Sequence, residues 1–265
     1  NGVVRAMRAE EVAGDPSGTV RVGKGLIRPY RPEDREAVRE ICRRTAYRNR
    51  GSTAVIEDGE LFADYWTKYY TDHEPESAFV VEEEGEVIGY LLGCADATVF
   101  HRVMARRIVP SVLARAVFRL VTFQYRDPKT RRMLYWLLRY GWQEDPSIPL
   151  DRYPAHYHCN ILRKGIGKGY YTALALRFVD QMLARGIRYM HGQVQEPAHG
   201  GPFERMINTY RQQLEVDLLE YMAEKPSSFQ RYMFGIDKPM VNRVWAGPIE
   251  PYRDWLVWTG EKYHM

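Results

Sequence analysis

The chain has 265 residues, of which 45% are apolar and 27% are charged. This mixture is typical of a globular protein and excludes a collagen, a disordered tail and a disulfide-stabilised miniprotein. The formal charge of +4, from 38 Lys and Arg against 34 Asp and Glu, is too small by itself to indicate a nucleic-acid or membrane partner.

The cysteines bear on the compartment and on metal binding. Cys42, Cys94 and Cys159 are an odd set without C-x-x-C spacing, so neither a disulfide framework nor a zinc site is predicted. We therefore expect no metal and a cytoplasmic protein. Residues 1–10 lack the apolar run of a signal peptide, and no stretch approaches the ~20 apolar residues of a membrane span.

The first part of the chain predicts an arm, two helices and a hairpin. Residues 1–25 are polar and have no clear period, so we expect an N-terminal arm. Pro32 favours a helix start because proline fits the first turn, and the acids after it complement the helix dipole. The predicted elements are a strand at 26–30, a helix that begins at residue 32, a helix at 60–70, and strands at 77–81 and 87–92 that Gly85 joins as a hairpin.

The second part predicts a sheet covered by helices. Residues 96–142 carry apolar residues at helical spacing, and Gly186 is placed to end a later helix. The remaining predicted elements are a loop at 145–149, a strand at 156–162, a helix at 170–183, a strand at 187–194, a helix at 203–213, and strand candidates at 214–221 and 228–235. The order predicts an α/β fold with a mixed sheet. Residues 238–265 read as an aromatic-rich C-terminal tail.

A glycine-rich turn joins the strand at 156–162 to the following helix. The glycines are Gly165, Gly167 and Gly169, and the cations around them are Arg163, Lys164 and Lys168. Converging backbone N–H groups and a helix N-terminus favour an anion there. A dinucleotide fingerprint would need a glycine at Tyr170, and a P-loop would need Ser or Thr after Lys168. We therefore predict a phosphate or pyrophosphate site, with a plain strand-to-helix connection as the alternative.

The turn resembles the [QR]-x-x-G-x-[GA] signature of the GNAT superfamily of acyl-CoA-dependent acetyltransferases, with Leu162 at the first position and Arg163 beside it. Other segments are similar to the same family: the first strand and helix start at 27–34, the hairpin at 76–90, the strand beginning Tyr153-Pro154-Ala155-His156-Tyr157-His158, and the helix end Asn208-Thr209-Tyr210-Arg211. The fourth strand is similar to that of bacterial members related to the acetyltransferase-like domain of O-GlcNAcases. The resemblance implies a mixed, mostly antiparallel sheet flanked by helices, with an acetyltransferase domain at 26–237 that carries a basic helical insertion at 96–150 before the fourth strand.

The resemblance also implies a reaction and a co-substrate. Members move an acetyl group from acetyl-CoA to a primary amine by direct attack, here on a small molecule or a lysine side chain. The edge of the fourth strand would pair with pantetheine, and a backbone N–H near Ile161 would bind the oxyanion. The expected acetyl-CoA-binding residues are Ile161, Leu162, Arg163, Lys164, Gly165, Ile166, Gly167, Lys168 and Gly169.

Three side chains are candidates for proton transfer. His156 and His158, two residues apart on a strand, share one face, and imidazole titrates near neutral pH, so the pair suits general-base work. The alternative is that both are structural histidines. Tyr210 stands where the family places the tyrosine that protonates the leaving thiolate. Cys159, on the opposite strand face from the histidines, would support a covalent route instead.

The insertion concentrates the positive charge. From residue 101 to 142 there are ten Lys and Arg and one acid, Asp127, so this segment carries +9 and the rest of the chain −5. It reads as an amphipathic helical lid, and the alternatives are a clamp for an acidic substrate, a contact to CoA phosphates, a partner surface or a membrane contact. A nucleic-acid partner is not expected.

The sequence is also compatible with two other functions. A non-catalytic acyl-CoA-binding module would keep the turn and lose the chemistry. A partner-binding protein would use the basic insertion and the Trp-rich tail without any CoA. A homodimer is also open, and the amine acceptor is not identified by any motif.

Overall fold

The computed structural model describes residues 18–214 and 218–262. The strands form two antiparallel sheets. The first sheet has five strands in the order β1-β2-β3-β4-β5: β1 (Val20–Val22), β2 (Gly25–Pro29), β3 (Ala78–Glu83), β4 (Glu86–Cys94) and β5 (His156–Ile161). The second has three in the order β6-β8-β7: β6 (Tyr189–Pro197), β7 (Tyr221–Ser227) and β8 (Met240–Pro248). A parallel bridge between Ala155 and Met190 connects the two sheets.

Helices cover both faces of the first sheet. In chain order, the helices of the described residues are α1 (Arg35–Asn49), α2 (Gly59–Asp72), α3 (Ala97–Val103), α4 (Val109–Val121), α5 (Pro128–Arg139), α6 (Tyr170–Ala184), α7 (Pro202–Leu214), α8 (Phe229–Phe234) and α9 (Ile249–Lys262). Helices α1 and α2 pack on one face and α6 on the other, and α9 packs along α6. A π-helical segment, Met104–Ile108, links α3 to α4. Across the described residues, no helix is both long and apolar enough to cross a membrane.

Local chemistry explains where several helices begin. The carboxylate of Asp34 accepts from the backbone N–H of Arg31 at 2.8 Å, in the short turn that leads into α1. Asp58 accepts from the N–H of Leu61 at 3.0 Å at the start of α2, and Asp96 and Asp127 accept in the same way ahead of α3 and α5. Each carboxylate satisfies an N–H group that has no partner inside its own helix.

Two turns confirm their sequence predictions. Glu84 and Gly85 both have positive φ, at +54° and +81°, which is the geometry of a tight hairpin turn between β3 and β4. Gly186 has φ of +78° and ends α6, and the N–H of Ile187 behind it donates to the carbonyl of Met182 at 2.9 Å.

Three segments differ from the sequence predictions. Val20–Val22, inside the expected arm, pairs with β2, so the strand predicted as the fourth is β5. Residues 240–262 of the expected tail form the central strand of the second sheet and a helix. The candidate at 228–235 is helix α8, ended by Gly235 at φ +67°, because its aromatic residues pack on distant helices: the Phe229 ring contacts those of Tyr47 and Trp136.

The remaining strand candidate, 214–221, is also wrong over its described residues, since Leu214 ends α7 and the strand begins only at Tyr221. Strand β7 escapes detection because it lies at a sheet edge, is largely exposed and contains Pro226. The predicted architecture is otherwise confirmed: a mostly antiparallel sheet flanked by helices, with a helical insertion between β4 and β5.

Candidate functional site

Strand β5 separates two kinds of side chain. Its residues pair with β4 so that His156 stands opposite Cys94, and His158 opposite Leu92. Because side chains alternate along a strand, His156, His158 and Asn160 lie on the face covered by α2, whereas Tyr157 and Cys159 lie on the face covered by α6. The predicted sharing of one face by the two histidines is therefore confirmed. All six residues of the strand are only half-buried.

The outer edge of β5 is open. The carbonyl of Ala155 accepts from the N–H of His191 on β6 at 2.8 Å, and the N–H of Leu162 donates to Ile88 on β4 at 2.9 Å. Backbone groups alternate in direction along a strand, so the N–H and C=O of Tyr157, Cys159 and Ile161 point away from β4. Beyond the Ala155–Met190 bridge, β5 and β6 share no further pairing within the described residues. A ligand can thus pair with this edge as an added strand.

His158 is held between aromatic rings and an amide. Its ring stacks on that of Trp66 from α2, with centroids 5.5 Å apart and planes 22° from parallel. The Nδ2 of Asn160 lies 2.9 Å from His158 Nε2 and 2.8 Å from the Tyr90 hydroxyl. An amide that donates to Nε2 keeps this nitrogen unprotonated and places the imidazole proton on Nδ1. Burial lowers the pKa of His158 to about 4, so the ring is neutral at pH 7.

His156 has one partnered and one unpartnered nitrogen. Its Nε2 lies 3.1 Å from the Tyr70 hydroxyl, and Phe100 packs edge-on against the ring at 4.8 Å. Its Nδ1 is buried and has no hydrogen-bond partner among the described residues. A bare lone pair is less costly to bury than an unpaired N–H, so the tautomer with the proton on Nε2 is favoured. Nδ1 is then a free proton acceptor.

Burial and, to a smaller extent, neighbouring histidines keep His156 neutral. Burial first, and then the nearby imidazoles of His191 and His101, lower the pKa of His156 well below 6.5. The His191 ring lies 4.9 Å away, and its Nδ1 is 2.6 Å from the carbonyl of Tyr153, to which it can donate. The α2-facing side of β5 thus holds uncharged imidazoles at neutral pH, which is the protonation state that a general base needs.

The α6-facing side of β5 has a different chemistry. The hydroxyls of Tyr157, Tyr171 and Tyr252 form a triangle with O···O distances of 2.7, 2.6 and 3.0 Å, which we call the tyrosine triangle. It ties β5 to the start of α6 and to α9. Burial raises the pKa of the Cys159 thiol to about 12. Since a nucleophilic cysteine acts as its thiolate, the covalent route through Cys159 loses its support.

The glycine-rich turn offers backbone donors but fewer free cations than the sequence predicts. Gly167 and Gly169 have φ of +80° and +81°, and Gly169 directly precedes α6, whose first N–H groups have no partner inside the helix. Lys168 pairs with Glu83 at 2.8 Å, and Lys164 pairs with Glu86. Arg163 is exposed and has no carboxylate partner within the described residues.

Gly165, the first glycine of the turn, has a packing role. A Cβ atom at this position would lie 2.7 Å from the Ile161 side chain, at the end of β5. Gly165 therefore lets the turn sit directly on the strand that carries the open edge.

Comparison with solved structures places this arrangement in a known fold. SsHAT is 26% identical to the chain, with 85% of this chain and 98% of that chain covered and a TM-score of 0.56. An N-acetyltransferase from Staphylococcus aureus Mu50 is 14% identical, over 85% and 98% of the two chains, with a TM-score of 0.45. A structure of yncA from Salmonella typhimurium with its cofactor acetyl-CoA is 13% identical, over 86% and 95%, with a TM-score of 0.42. No family model matches the chain.

The chain has the GNAT fold. The chain shares this fold with SsHAT, and the resemblance in the sequence points to the GNAT family. The narrower similarity to the acetyltransferase-like domain of O-GlcNAcases stays a prediction.

Seen as a GNAT fold, the structure places most of the predicted site residues around one strand. His156, His158 and Ile161 lie on β5, and Leu162 to Gly169 follow it directly. Tyr210 lies in α7, but its side chain is outside the part of the chain that the structure describes, so its role stays a prediction.

Several residues around β5 were not predicted from the sequence. Trp66 and Tyr70 come from α2, which approaches β5 only through the fold. Asn160 follows His158 at the same two-residue spacing as the histidines, and the alternation could have revealed it. Asp145 lies close enough to Tyr65 to act on it: burial, which is the larger cause, and the Asp145 charge both raise the pKa of Tyr65, and Asp145 accepts from Gln193 at 2.9 Å.

Within the part of the chain that the structure describes, no group of three or more His, Cys, Asp or Glu side chains is arranged to hold a metal ion.

Proposed function

We propose that this protein transfers the acetyl group of acetyl-CoA to a primary amine by direct attack. The observation that carries the proposal is the position of the open β5 edge, which lies between a face of neutral imidazoles and a glycine-rich turn. A thioester held along this edge would have backbone N–H donors beside it and the imidazoles on the α2-facing side of the strand as proton acceptors.

Acetyl-CoA would bind along β5. Its pantetheine would pair with the outward N–H and C=O groups of Tyr157, Cys159 and Ile161. Its pyrophosphate would lie against the N–H groups that follow Gly167, with Arg163 as the available cation. Lys164 and Lys168 would contribute less than the sequence suggests, because each already has a glutamate partner.

The amine would approach from the α2 side. It arrives mostly as an ammonium ion, because alkylamines titrate near ~10. Trp66, exposed over 41% of its surface, and Tyr65 offer aromatic faces to a cation, and the carboxylate of Asp145 adds negative charge near them. A cationic acceptor fits this combination better than an acidic one.

The proton balance assigns roles to the histidines. The ammonium loses a proton to the His156 imidazole through an intervening water, since Nδ1 is itself buried, and the free amine attacks the thioester carbonyl carbon. The N–H of Ile161 or Cys159 stabilises the oxyanion, the C–S bond breaks, and the attacking nitrogen loses its second proton as the amide forms. The CoA thiolate takes up one proton, for which Tyr210 is the proposed donor, and the second amine proton restores the phenol. The proton taken up by His156 is then the one released per turnover. His158 would position and polarise the site rather than hold the proton, because Asn160 occupies its Nε2.

The test is to incubate the protein with acetyl-CoA and a panel of primary amines, and to measure free CoA and acetylated amine. We expect turnover on at least one small cationic amine, and a higher melting temperature with acetyl-CoA. A non-catalytic acyl-CoA-binding module would give the thermal shift with no amine acetylated. A partner-binding protein would give neither.

A further inference from the structure

The insertion binds the body through one face of helix α4. Ala116 is buried on this face, and Ile108, which directly precedes the helix, is buried on the same side. On the same side, Arg115 and Arg119 form ion pairs with Asp64 and Asp58 at helix α2. The helix is therefore fixed by apolar packing and by two charge pairs, and its opposite face is held away from the body.

That opposite face is apolar and exposed. Val109, Leu113, Val117 and Val121 recur every four residues along α4, which places them in one stripe. Phe118 flanks the stripe, and Phe123 extends from its end with 86% of its surface exposed. We call these six residues the apolar ridge. An exposed patch of this kind marks a surface that contacts something other than water.

The insertion that carries the apolar ridge also has exposed cations without a carboxylate partner, which we call the unpaired cations. Of the ten Lys and Arg in the insertion, only Arg115 and Arg119 have a carboxylate within 4 Å in the described parts of the chain. The other eight are exposed, and they are Arg102, Arg106, Arg107, Arg126, Lys129, Arg131, Arg132 and Arg139. The one acid, Asp127, caps helix α5 instead. Elsewhere in the body, arginines such as Arg28 and Arg243 are buried against acidic partners.

The combination restricts what can cover this face. A second copy docked symmetrically would place the unpaired cations of two chains against each other, which is unfavourable. A neutral apolar partner would leave the cations uncompensated. The occupant must be negatively charged and must also accept exposed Phe and Val side chains. The surface of an anionic lipid bilayer has both properties, because headgroup charge overlies an apolar interior.

We propose that the insertion docks the protein onto the surface of anionic membranes, with Phe118, Val121 and Phe123 in the interfacial layer and the unpaired cations against the headgroups. The body then stands above the bilayer on α4. This inference does not depend on the acetyltransferase function.

Vesicle co-sedimentation tests the proposal with the full chain. The vesicles are pure phosphatidylcholine, and phosphatidylcholine with about a third phosphatidylserine, at low and high salt. We expect binding to the anionic vesicles that is at least about ten-fold tighter than to the neutral ones and is weakened by salt.

Two variants separate the apolar and the charge contributions. Phe123→Ser should weaken binding about ten-fold, because its ring is almost fully exposed and its loss leaves the fold intact. Arg126→Gln with Lys129→Gln should weaken binding about five-fold for each charge removed. The matched controls are Met222→Ser and Arg21→Gln, an exposed apolar residue and an exposed cation outside the insertion, and neither should change binding.

Other results would overturn the proposal. Equal binding to neutral and anionic vesicles would remove the role of the cations. Unchanged binding in both insertion variants would place the contact elsewhere. If soluble polyglutamate binds as tightly as vesicles and Phe123→Ser does not weaken it, the partner is an acidic protein. A dimer in solution that Phe123→Ser dissociates would mean that the ridge meets a second copy.

Discussion

The two faces of strand β5 are equally half-buried, yet they hold opposite chemistry. The face toward α2 carries His156 and His158, and burial lowers both pKa values, so the imidazoles stay neutral and able to accept a proton. The face toward α6 carries Tyr157 and Cys159, and burial raises both pKa values, so the phenol and the thiol keep their protons. One physical cause, desolvation, therefore produces acceptors on one side and inert donors on the other.

The difference matters because the open backbone edge lies between the two faces. A thioester on this edge would have its reacting carbon next to proton acceptors on one side and a closed, packed wall on the other. The α2 side would then serve the amine, and the α6 side would serve only to hold β5, α6 and α9 together.

The largest expected effect is on catalysis. His156→Gln should lower kcat for amine acetylation about a hundred-fold or more, because it removes the proposed proton acceptor. Cys159→Ser, one strand face away, is the matched control and should change kcat less than about three-fold. The rate of CoA release at saturating acetyl-CoA measures both, and the melting temperature checks that each variant is folded. Equal losses in the two variants would remove the distinction between the faces.

The second prediction concerns stability against pH. The pKa of His158 is about 4 in the folded chain and near 6.5 when unfolded, so the unfolded chain binds more protons between these values. The contribution of His158 is present above pH 6.5 and is lost as the pH falls towards 4, by about 3 kcal/mol. Urea unfolding from pH 7.5 to 4.5 should show this loss, and the loss should be about 3 kcal/mol smaller in His158→Gln. Parallel curves for the two proteins would contradict the lowered pKa.

A third prediction separates ligand binding from backbone strain at the turn. Gly167→Ala forces alanine into a left-handed conformation, which should cost about 1 kcal/mol of stability, and it should weaken acetyl-CoA binding about ten-fold. Gly186→Ala is the matched control, since Gly186 has nearly the same φ at the other end of α6. It should lose similar stability with unchanged acetyl-CoA affinity, as measured by calorimetric titration. Unchanged affinity in Gly167→Ala would mean that the turn is only a connection.

The smallest effect is expected at the tyrosine triangle. Tyr252→Phe removes one hydroxyl from a group of three, so the free energy of unfolding should fall by about 1 kcal/mol. The kcat should not change, because the triangle lies on the face without proton transfer. A large loss of kcat in this variant would show that the α6 side takes part in the chemistry.

The sequence was informative where local rules decide the structure. The two-residue spacing of the histidines placed both on one face of β5, and Gly186 ended α6 as expected. It was uninformative where distant contacts decide. Phe229 became part of a helix because it packs on Tyr47 and Trp136, and Trp66 reached His158 from a helix about ninety residues earlier in the chain. The ion pairs of Lys164 and Lys168 likewise depend on β3 and β4, so the sequence alone overstated the free charge at the turn.

The most direct test of the division between the faces is a crystal structure of the protein with acetyl-CoA bound. We expect the pantetheine to pair with the open edge of β5, with the carbonyl oxygen of the thioester within hydrogen-bond distance of the N–H of Cys159 or Ile161. We also expect the acetyl group to face His156. An acetyl group on the α6 side against the tyrosine triangle, or a CoA that leaves the β5 edge unpaired, would contradict it.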